Sequence, residues 1–403
     1  MNRWLFLWRR VRAQIWFRAS LYAAFGVGAA LVAVFAAPFV PRAMAERLGG
    51  ESVQQILTIL ASSLLAVATF SLGAWVTAYT SVSQAATPRA AALVTSDEAS
   101  QKSLATFVGA FLYAVVAVTA VNAHYYGPGG RAVLYLTSLA VVGLVAFRLL
   151  GWINRLSRLA RLGHMIELVE ERTAACLAQE PPTAAATPLT GAEVRASRTG
   201  YVQNIDLPYL QELAGEHDLR VEILAPVGAF RRRGEVLART SRARLETALE
   251  ERLAEAFAVA RGRTFDQDPR YGLIVLGEIG ARALSPGVND PGTAIQIVGV
   301  AVRLLDDWSR LDPTRPEDDQ RVFRPPLAAE ALLDDVLGPL IRYGSTDLAL
   351  AIRLQKALRS LASGEGPVST AARALAADAL SRAKAELHPQ DRRRLAGAAR
   401  ESG

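Results

Sequence analysis

Residues 52–88, SVQQILTILASSLLAVATFSLGAWVTAYTSVSQAATP, contain no charged side chain and decide the class of the fold. About 20 consecutive apolar residues form a helix long enough to cross a bilayer. Further uncharged runs occupy 19–41, 103–130 and 132–147. The last run reaches spanning length only by continuing to Ile153 and including Arg148, whose side chain would extend to the lipid headgroups. The sequence therefore predicts four transmembrane helices within residues 19–178.

Basic residues are distributed unevenly around these runs. Residues 1–131 contain ten Lys or Arg and four Asp or Glu, whereas residues 132–403 contain 35 and 34. Five arginines, at positions 3, 9, 10, 12 and 18, precede the first run, and another group lies at the end of the fourth: Arg148, Arg155, Arg158 and Arg161. By the positive-inside rule, we expect both termini in the cytoplasm of a bacterial inner membrane.

The same C-terminal arginine group supplies candidate lipid-headgroup contacts, because anionic lipids attract basic residues beside a span. A snorkelling, solvated helix face is the alternative interpretation. Residues 1–18 include Trp4, Trp8 and Trp16 and lack a clear cleavage site, so we interpret them as a retained interfacial segment.

Composition disfavours several classes of protein. A nucleic-acid binder would carry its basic excess in the soluble part of the chain, where charge is nearly balanced. The single Cys176 excludes an intrachain disulfide framework, and the four histidines show no zinc-ligand spacing. We therefore predict no cofactor and no metal, with the lipid bilayer as the partner.

The composition and apolar periodicity of the chain change several times after the predicted spans. Apolar residues at helical spacing from Leu149 to Val169 predict that the fourth span continues as one helix to about Leu177. Residues 179–192 are rich in Pro, Ala and Thr and are interpreted as a linker. We predict a small β-module over 193–240, a helical domain over 241–390 and a flexible tail over 391–403.

The β-module is predicted to contain strands at Gly200–Ile205, Leu219–Leu224 and Glu235–Arg239. The pattern resembles half of a barrel-sandwich hybrid, the fold of biotinyl and lipoyl carriers. No Lys lies between Lys102 and Lys356, so prosthetic-group carriage is excluded. The predicted fold class is a membrane α-helical domain plus a cytoplasmic α+β region with this barrel-sandwich-like module.

Apolar periodicity places the C-terminal elements. It predicts one amphipathic helix from Leu245 to Ala260, followed by a polar, Pro-rich loop over 312–326 that interrupts the later helices. Those later helices are predicted at Pro269–Leu284, Pro291–Trp308, 327–343, 346–362 and 367–387.

Two segments, RGRTFDQD at 261–268 and ALSPGVNDPGTA at 283–294, form the densest cluster of unusual residues. Asp290 is placed to cap a helix that has Pro291 in its first position. The corner is either a capped turn between helices or an anion site at a helix N-terminus. The candidate residues are Arg263, Gln267, Asp268, Arg282, Ser285, Asn289, Asp290 and Thr293.

Asp268 and Asp290 in this cluster have two interpretations. They are a carboxylate pair for acid–base chemistry, with Arg263 and Arg282 as charge partners, or members of a structural ion-pair network. No nucleophile–base pair, HExxH, P-loop or GxGxxG motif accompanies them, so we predict that the protein is not an enzyme.

One face of the 52–88 run is small or polar at every third or fourth residue. It comprises Ser62, Ala66, Thr69, Gly73, Thr77, Thr80 and Gln84, which we call the small-polar stripe. The stripe is either a surface for close helix packing or the lining of a hydrated path. No Asp, Glu, Lys or His lies in the middle of a run, which argues against a proton-coupled carrier.

Four stretches of the chain resemble a bacterial family of predicted membrane proteins, catalogued as domain of unknown function 2254. They are TSVSQAATPRAAALVTSDEASQKSLATFVGAFLYAVV at 80–116, the strands over Gly200–Leu237, RTFDQDPRYGL at 263–273 and ARALSPGVNDPGTAI at 281–295. Gly292 departs from the family pattern, in which a bulkier residue is expected. The resemblance implies this architecture and no particular activity.

Two functional hypotheses remain open from the sequence. The first is an oligomeric, channel-like conduit gated by the cytoplasmic domain, in which the small-polar stripes of a homo-oligomer form a ring. The second is a membrane-anchored sensor or scaffold without transport activity. The sequence does not identify the ion or small molecule that either would bind.

Overall fold

The computed structural model of the protein describes residues 15–48, 52–182, 187–312 and 320–399. The chain divides into two compact units, one within Leu7–Met165 and one over Ile166–Gly403, here called the N-terminal and C-terminal units. Most of the interfacial segment predicted at 1–18, including Trp4 and Trp8, lies outside the described residues. So do residues 183–186 of the predicted linker and 400–403 of the predicted tail.

The N-terminal unit is helical throughout the described residues. A 3₁₀ turn, Ala37–Phe39, follows its first helix. The α-helices are α1 (Ile15–Ala36), α2 (Arg42–Leu48), α3 (Ser52–Ala85), α4 (Pro88–Thr95), α5 (Glu98–Asn122) and α6 (Pro128–Leu159).

Three of these helices, α3, α5 and α6, are long and apolar enough to cross a membrane within the described residues. They confirm the second, third and fourth predicted spans. The first predicted span forms α1, but its apolar stretch, Ala19–Ala33, is shorter than a membrane crossing requires. The described residues therefore contain three candidate spans rather than the four predicted.

Glycines allow α1 to approach α5 closely. A Cβ atom at Gly26 would lie 2.5 Å from the carbonyl oxygen of Gly109, and one at Gly109 would lie 2.7 Å from that of Tyr22. Gly28, on the same helix as Gly26, has no such neighbour within 4 Å of its Cβ position. Because lipid tails are as apolar as the helices, membrane helices associate through close packing at small residues. The α1–α5 contact is of this kind.

The helix predicted to run from the fourth span to Leu177 is broken. The last span, α6, ends at Leu159, and a separate helix, α7, occupies Leu162–Leu177. At the break, the N–H of Arg161 donates to the carbonyl of Arg158 at 3.0 Å. This bond joins residues three apart, whereas the bonds of an α-helix join residues four apart, so the turn is tighter. Apolar periodicity continues across the two residues between the helices, which explains why it predicted one helix.

The C-terminal unit combines two small sheets with helices. Its strands are β1 (Glu193–Arg195), β2 (Gly200–Ile205), β3 (Val221–Ile223), β4 (Phe230–Arg231), β5 (Val236–Thr240), β6 (Phe257–Ala260) and β7 (Val322–Phe323). One sheet has the order β1-β5-β3-β7 and the other β4-β2-β6. The described pairs are antiparallel except for β3 with β7.

The predicted strands are confirmed as β2, β3 and β5, but the barrel-sandwich arrangement is not. A helix, α8 (Leu207–Glu216), follows β2, and the strands belong to two separate sheets. Side chains from both sheets and from the neighbouring helices share one core, in which Val202, Leu213, Val221 and Leu237 are fully buried.

The helix predicted from Leu245 to Ala260 is wrong at its C-terminal end. Its helical part is α9 (Thr247–Glu255), and the next residues form β6, which pairs with β2. Phe257 and Val259 are buried while the residues after them are half-buried, an alternation typical of a strand. Three short strands also lie outside the predictions: β1 at the start of the β-module, β4, which pairs with β2, and β7 within the predicted Pro-rich loop.

The later helices agree with prediction to within two residues at each end. They are α10 (Pro269–Ala283), α11 (Pro291–Ser309), α12 (Ala329–Tyr343), α13 (Leu348–Ala362) and α14 (Pro367–Glu386). The tail predicted to be flexible over 391–403 is largely helical in its described part. Its residues up to Ala398 belong to α15 (Pro389–Ala398), whose Leu395 is fully buried.

The glycine contact between α1 and α5 yields a test with a matched control. Gly26→Ala should destabilise the protein by about 1–3 kcal/mol, because the added methyl group overpacks the contact with Gly109. Gly28→Ala should be neutral or stabilising, since Ala favours a helix and meets open space. Thermal unfolding of the detergent-solubilised protein measures both. Equal melting temperatures for the two variants would contradict the close approach.

Candidate functional site

The first sequence cluster forms the start of α10. Asp268 has extended backbone angles and caps the helix, with Pro269 in the first helical turn. Its Oδ1 accepts the backbone N–H groups of Arg270 at 3.2 Å and Tyr271 at 3.0 Å. Only 1% of the Asp268 side chain is exposed.

Arg263 neutralises this buried carboxylate. Its Nε donates to Asp268 Oδ2 at 2.7 Å and its Nη2 to Oδ1 at 2.8 Å. The guanidinium also lies over the Tyr271 ring, 5.3 Å from the centroid. A two-point contact of this kind is the strong geometry for a guanidinium and a carboxylate. Of the two interpretations of Asp268, the geometry favours the structural ion pair.

The turn before β4 packs directly on the ion pair. Gly228 has φ +88°, and a Cβ atom there would lie 2.4 Å from Asp268 Oδ2 and 2.7 Å from Arg263 Nη2. Both the left-handed backbone and the close approach require glycine. Gln267 binds the same region from the other side, because its Oε1 accepts the N–H of Ile205 at 3.1 Å.

A cavity of about 350 Å³ opens beside this loop, a volume within the range of small-molecule sites. It lies entirely in the C-terminal unit. Its charged and amide side chains are Gln179, Glu180, Arg263, Gln267, Arg270 and Arg324. The rest of the wall is largely apolar and includes Ile205, Leu207, Ile223, Val227 and Leu327.

The other arginines of the cavity are also held by carboxylates. Arg270 binds Asp335 of α12 through Nε at 2.6 Å and Nη2 at 2.9 Å, which raises the pKa of the guanidinium. Arg324 forms an ion pair with Glu180 through Nη1. Burial raises the pKa of Glu180 and outweighs the opposing effect of Arg324.

The second sequence cluster lies at the other end of α10. This helix has 15 residues, so at about 1.5 Å per residue its ends are about 22 Å apart. Asp268 and Asp290 cap different helices, and the structure does not bring them together as a carboxylate pair. Five predicted residues belong to this distant corner and do not line the cavity: Arg282, Ser285, Asn289, Asp290 and Thr293.

The corner is held by local hydrogen bonds. Asp290 Oδ1 accepts the Thr293 N–H at 3.1 Å, and the Thr293 hydroxyl donates to Oδ2 at 2.6 Å. The Ser285 hydroxyl donates to the carbonyl of Arg282 at 2.6 Å, and Asn289 has φ +50°. Asp290 is exposed, which agrees with its interpretation as a helix cap.

The small-polar stripe of α3 is exposed along its whole length. The opposite face of the helix is buried and contains Leu57, Leu64, Trp75 and Val82. A Cβ atom at Gly73 would meet no other heavy atom within 4 Å. Packing against another helix of the same chain, one of the two sequence interpretations, is therefore not observed among the described residues.

The structure separates the members of the predicted lipid-contact row. Arg155 donates to Asp97 through Nε at 2.7 Å and forms an ion pair through Nη2. Arg155 therefore also has a partner within the protein, in addition to its predicted role at the headgroups. Arg158 and Arg161 are exposed, and Arg148 is half-buried.

The sequence predictions missed four charged or amide residues of the cavity wall. Gln179 and Glu180 lie in the predicted linker, Arg324 lies in the predicted loop, and Arg270 was predicted only as part of a helix. A local signal existed for Gly228, which marked a turn, but nothing in the sequence linked that turn to Asp268. Within the described residues, no group of three or more His, Cys, Asp or Glu is placed to hold a metal ion.

The cap at Asp290 gives a direct prediction. Asp290→Ala should lower the free energy of unfolding by about 1 kcal/mol, whereas Asp290→Asn should cost little because Asn also caps helices. The Thr293 hydroxyl holds the pKa of Asp290 below its ordinary value of 3.8. The stabilisation is therefore present above pH 3.8 and is lost as the pH falls through the lowered pKa. Thermal melting at several pH values measures it, and equal losses in both variants would rule out capping.

Comparisons with known proteins agree with the helical spans. The predicted membrane protein family DUF2254 matches residues 12–360. The uncharacterized proteins Rv1290c of Mycobacterium tuberculosis H37Rv and Mb1321c of Mycobacterium bovis are each 26% identical to the chain over 291 residues. These alignments cover 66% of this chain and 55% of each relative, so the chain spans about half the length of the curated relatives it matches. No solved structure matches the chain. Because the family match extends over most of the sequence, the protein belongs to the predicted membrane protein family DUF2254.

Proposed function

We propose that the protein is a membrane-anchored sensor whose C-terminal unit binds a small molecule in the cavity beside Asp268. The cavity itself carries the proposal. It combines a volume suited to a small molecule, a largely apolar wall and a few charged groups, which together are typical of ligand sites. Such a protein transmits a binding event to its membrane helices and carries out no reaction.

The chain path supports a sensor. Glu180, in the cavity wall, lies three residues beyond the end of α7, and α7 follows the last candidate span after two residues. The cavity is thus connected to a membrane helix through one helix.

Contacts within the C-terminal unit fix the end of α7. The Trp308 Nε1–H donates to the carbonyl of Glu180 at 2.7 Å, and Arg303 binds Glu170 through Nε at 2.7 Å. Burial raises the pKa of Cys176 to about 12, so it remains a thiol and donates to the Phe265 carbonyl at 3.3 Å. A change at the cavity would reach α7 through these contacts.

The membrane arrangement belongs to the same proposal. We place the protein in a bacterial inner membrane with both termini in the cytoplasm, as the arginine distribution favours. This orientation needs an even number of crossings. We assign the fourth crossing to α1. Its apolar stretch, Ala19–Ala33, covers only part of the bilayer core, and the residues on either side of that stretch extend the helix to 22 residues, about 33 Å. A homo-oligomer formed through exposed helix faces remains part of this proposal.

Filling the cavity tests the sensor proposal. A metabolite library is screened for compounds that raise the melting temperature of the detergent-solubilised protein. A ligand at about 100 times its Kd adds about 2.7 kcal/mol of stability. Ala331→Trp, in the cavity wall, should abolish the rise caused by any such compound. Ala374→Trp, at an exposed position of α14, is the control and should preserve it. Stabilisation that survives Ala331→Trp would contradict binding in the cavity.

A second candidate function, an oligomeric conduit, is favoured by one observation. The small-polar stripe of α3 is exposed, and the hydroxyl groups of Ser62, Thr77 and Thr80 donate to carbonyl groups of their own helix. Thr77 Oγ1, for example, donates to the Gly73 carbonyl at 3.0 Å. Lipid offers no partners for such a face, whereas a second copy of the chain or a water-filled path does.

Cysteine accessibility tests the conduit. In a Cys176→Ser background, Thr77→Cys should react with small water-soluble thiol reagents, because only hydrated thiols ionise readily. Leu72→Cys is the matched control, since Leu72 is 50% exposed on the same helix but lies about 140° around it from Thr77, and it should stay inert. Purified protein in planar bilayers should then conduct ions. An unreactive Thr77→Cys and the absence of current would remove the conduit from consideration.

A further inference from the structure

We propose that the cavity ligand is a small organic anion with an apolar body, which binds by replacing the carboxylate of Glu180 on Arg324. This inference rests on the proposed function and specifies the chemistry of its ligand. When no ligand is bound, the Glu180 carboxylate occupies the position on Arg324 that the acid group of the ligand takes.

The hydrogen-bond donors of the cavity wall favour an anion, even though each guanidinium is paired with one carboxylate. Three guanidinium groups border the cavity, from Arg263, Arg270 and Arg324, against the single carboxylate of Glu180. Asp268 and Asp335 are not among the residues that line the cavity. They bind Arg263 and Arg270 through Nε and Nη2 alone. Within the described residues, neither Nη1 group donates a hydrogen bond to a protein acceptor.

Arg324 is the least committed of the three guanidinium groups. Arg263 and Arg270 each bind a carboxylate through two nitrogen atoms, whereas Arg324 donates only through Nη1 to one oxygen of Glu180. Its Nε and Nη2 have no hydrogen-bond partner among the residues that the structure describes. An incoming carboxylate or phosphate could bind two of these donors at once, and a two-point contact is stronger than a one-point contact.

Glu180 is poorly stabilised in its place. Its side chain is 24% exposed, and burial raises its pKa in spite of the neighbouring Arg324. A carboxylate held at such a cost is released more readily than one with full hydrogen bonding, such as Asp268. Release of Glu180 would move the segment directly after α7. Ligand exchange at Arg324 would therefore provide the output of the sensor.

The apolar wall defines the other part of the ligand. Ile205, Ile223, Val227 and Leu327 border the cavity together with several prolines. A bare inorganic anion would leave this surface unfilled, whereas an aromatic or aliphatic body would bury it. The structure thus points to a carboxylic acid or a phosphate monoester with an apolar group.

Three probes that share one ring and differ in charge test the inference. Benzoate, benzamide and benzamidine are titrated into the full-length protein by isothermal calorimetry, with phenyl phosphate as a second anion. We expect the two anions to bind, and the neutral and cationic probes to bind at least about tenfold more weakly, the effect of one charged hydrogen bond. Equal binding of benzamide and benzoate, or no binding of either anion, would overturn the inference.

Variants separate the steps of the inference. Arg324→Met should weaken benzoate binding about tenfold or more, and Glu180→Gln should strengthen it by removing the competing carboxylate. Arg310→Met, which removes an exposed partner of Asp306 and does not line the cavity, is the control and should change nothing. Benzoate binding that Glu180→Gln leaves unchanged or weakens would overturn the exchange.

The two proposals fail in different ways. Probe binding that ignores charge but disappears in Ala331→Trp contradicts the anion and leaves the cavity sensor standing. Anion binding that persists in Ala331→Trp contradicts both, because the probe then binds elsewhere. Melting temperatures without probe show whether Arg324→Met and Glu180→Gln are folded. A folded Arg324→Met with unchanged benzoate affinity also overturns the inference.

Discussion

The C-terminal unit depends on one buried carboxylate. Asp268 accepts four hydrogen bonds, two from the guanidinium of Arg263 and two from backbone N–H groups at the start of α10. Those bonds fix the direction of the helix, the loop before it and the turn at Gly228 that packs on them. Removing one partner of such a buried pair costs about 3–5 kcal/mol, because the other charge is left uncompensated. The cavity exists where this loop, the Gly228 turn and the segment around Arg324 meet.

Features set by nearby residues could be predicted from the sequence. Asp290 was predicted to cap the helix that begins at Pro291, and the structure has this cap. Asp268 caps α10 by the same local rule, although it was predicted only as a charged member of the cluster. The apolar runs predicted α3, α5 and α6 for the same reason, since length and hydropathy are local properties. The predictions failed where a distant partner decides the outcome. Residues 257–260 fit a helix by periodicity, but pairing with β2 makes them a strand.

The candidate site likewise combines local features, which the sequence predicted, with contacts between distant residues, which it did not. Arg263, Gln267 and Asp268 stood out as an unusual local motif, and the structure places them around one loop. Glu180 and Arg324 are 144 residues apart, and their ion pair follows only from the folded chain. The small-polar stripe was visible as a pattern, but its exposure was not, because the helix could have turned either face toward α5. Close glycine packing occurs instead between α1 and α5.

The proposed sensor requires a rigid wall and a weakly held element in the same cavity. The two-point pairs of Arg263 and Arg270 supply the wall, and the one-point pair of Arg324 supplies the element that can exchange. The wall depends on the coupling between Arg263 and Asp268. A double-mutant cycle with Arg263→Met and Asp268→Asn, followed by thermal unfolding, measures that coupling most directly, because Asn keeps the helix cap and removes only the charge. The account predicts a coupling of about 3 kcal/mol, far above that of the exposed pair Arg382–Asp378 measured alongside. Additive losses in the double variant would contradict it.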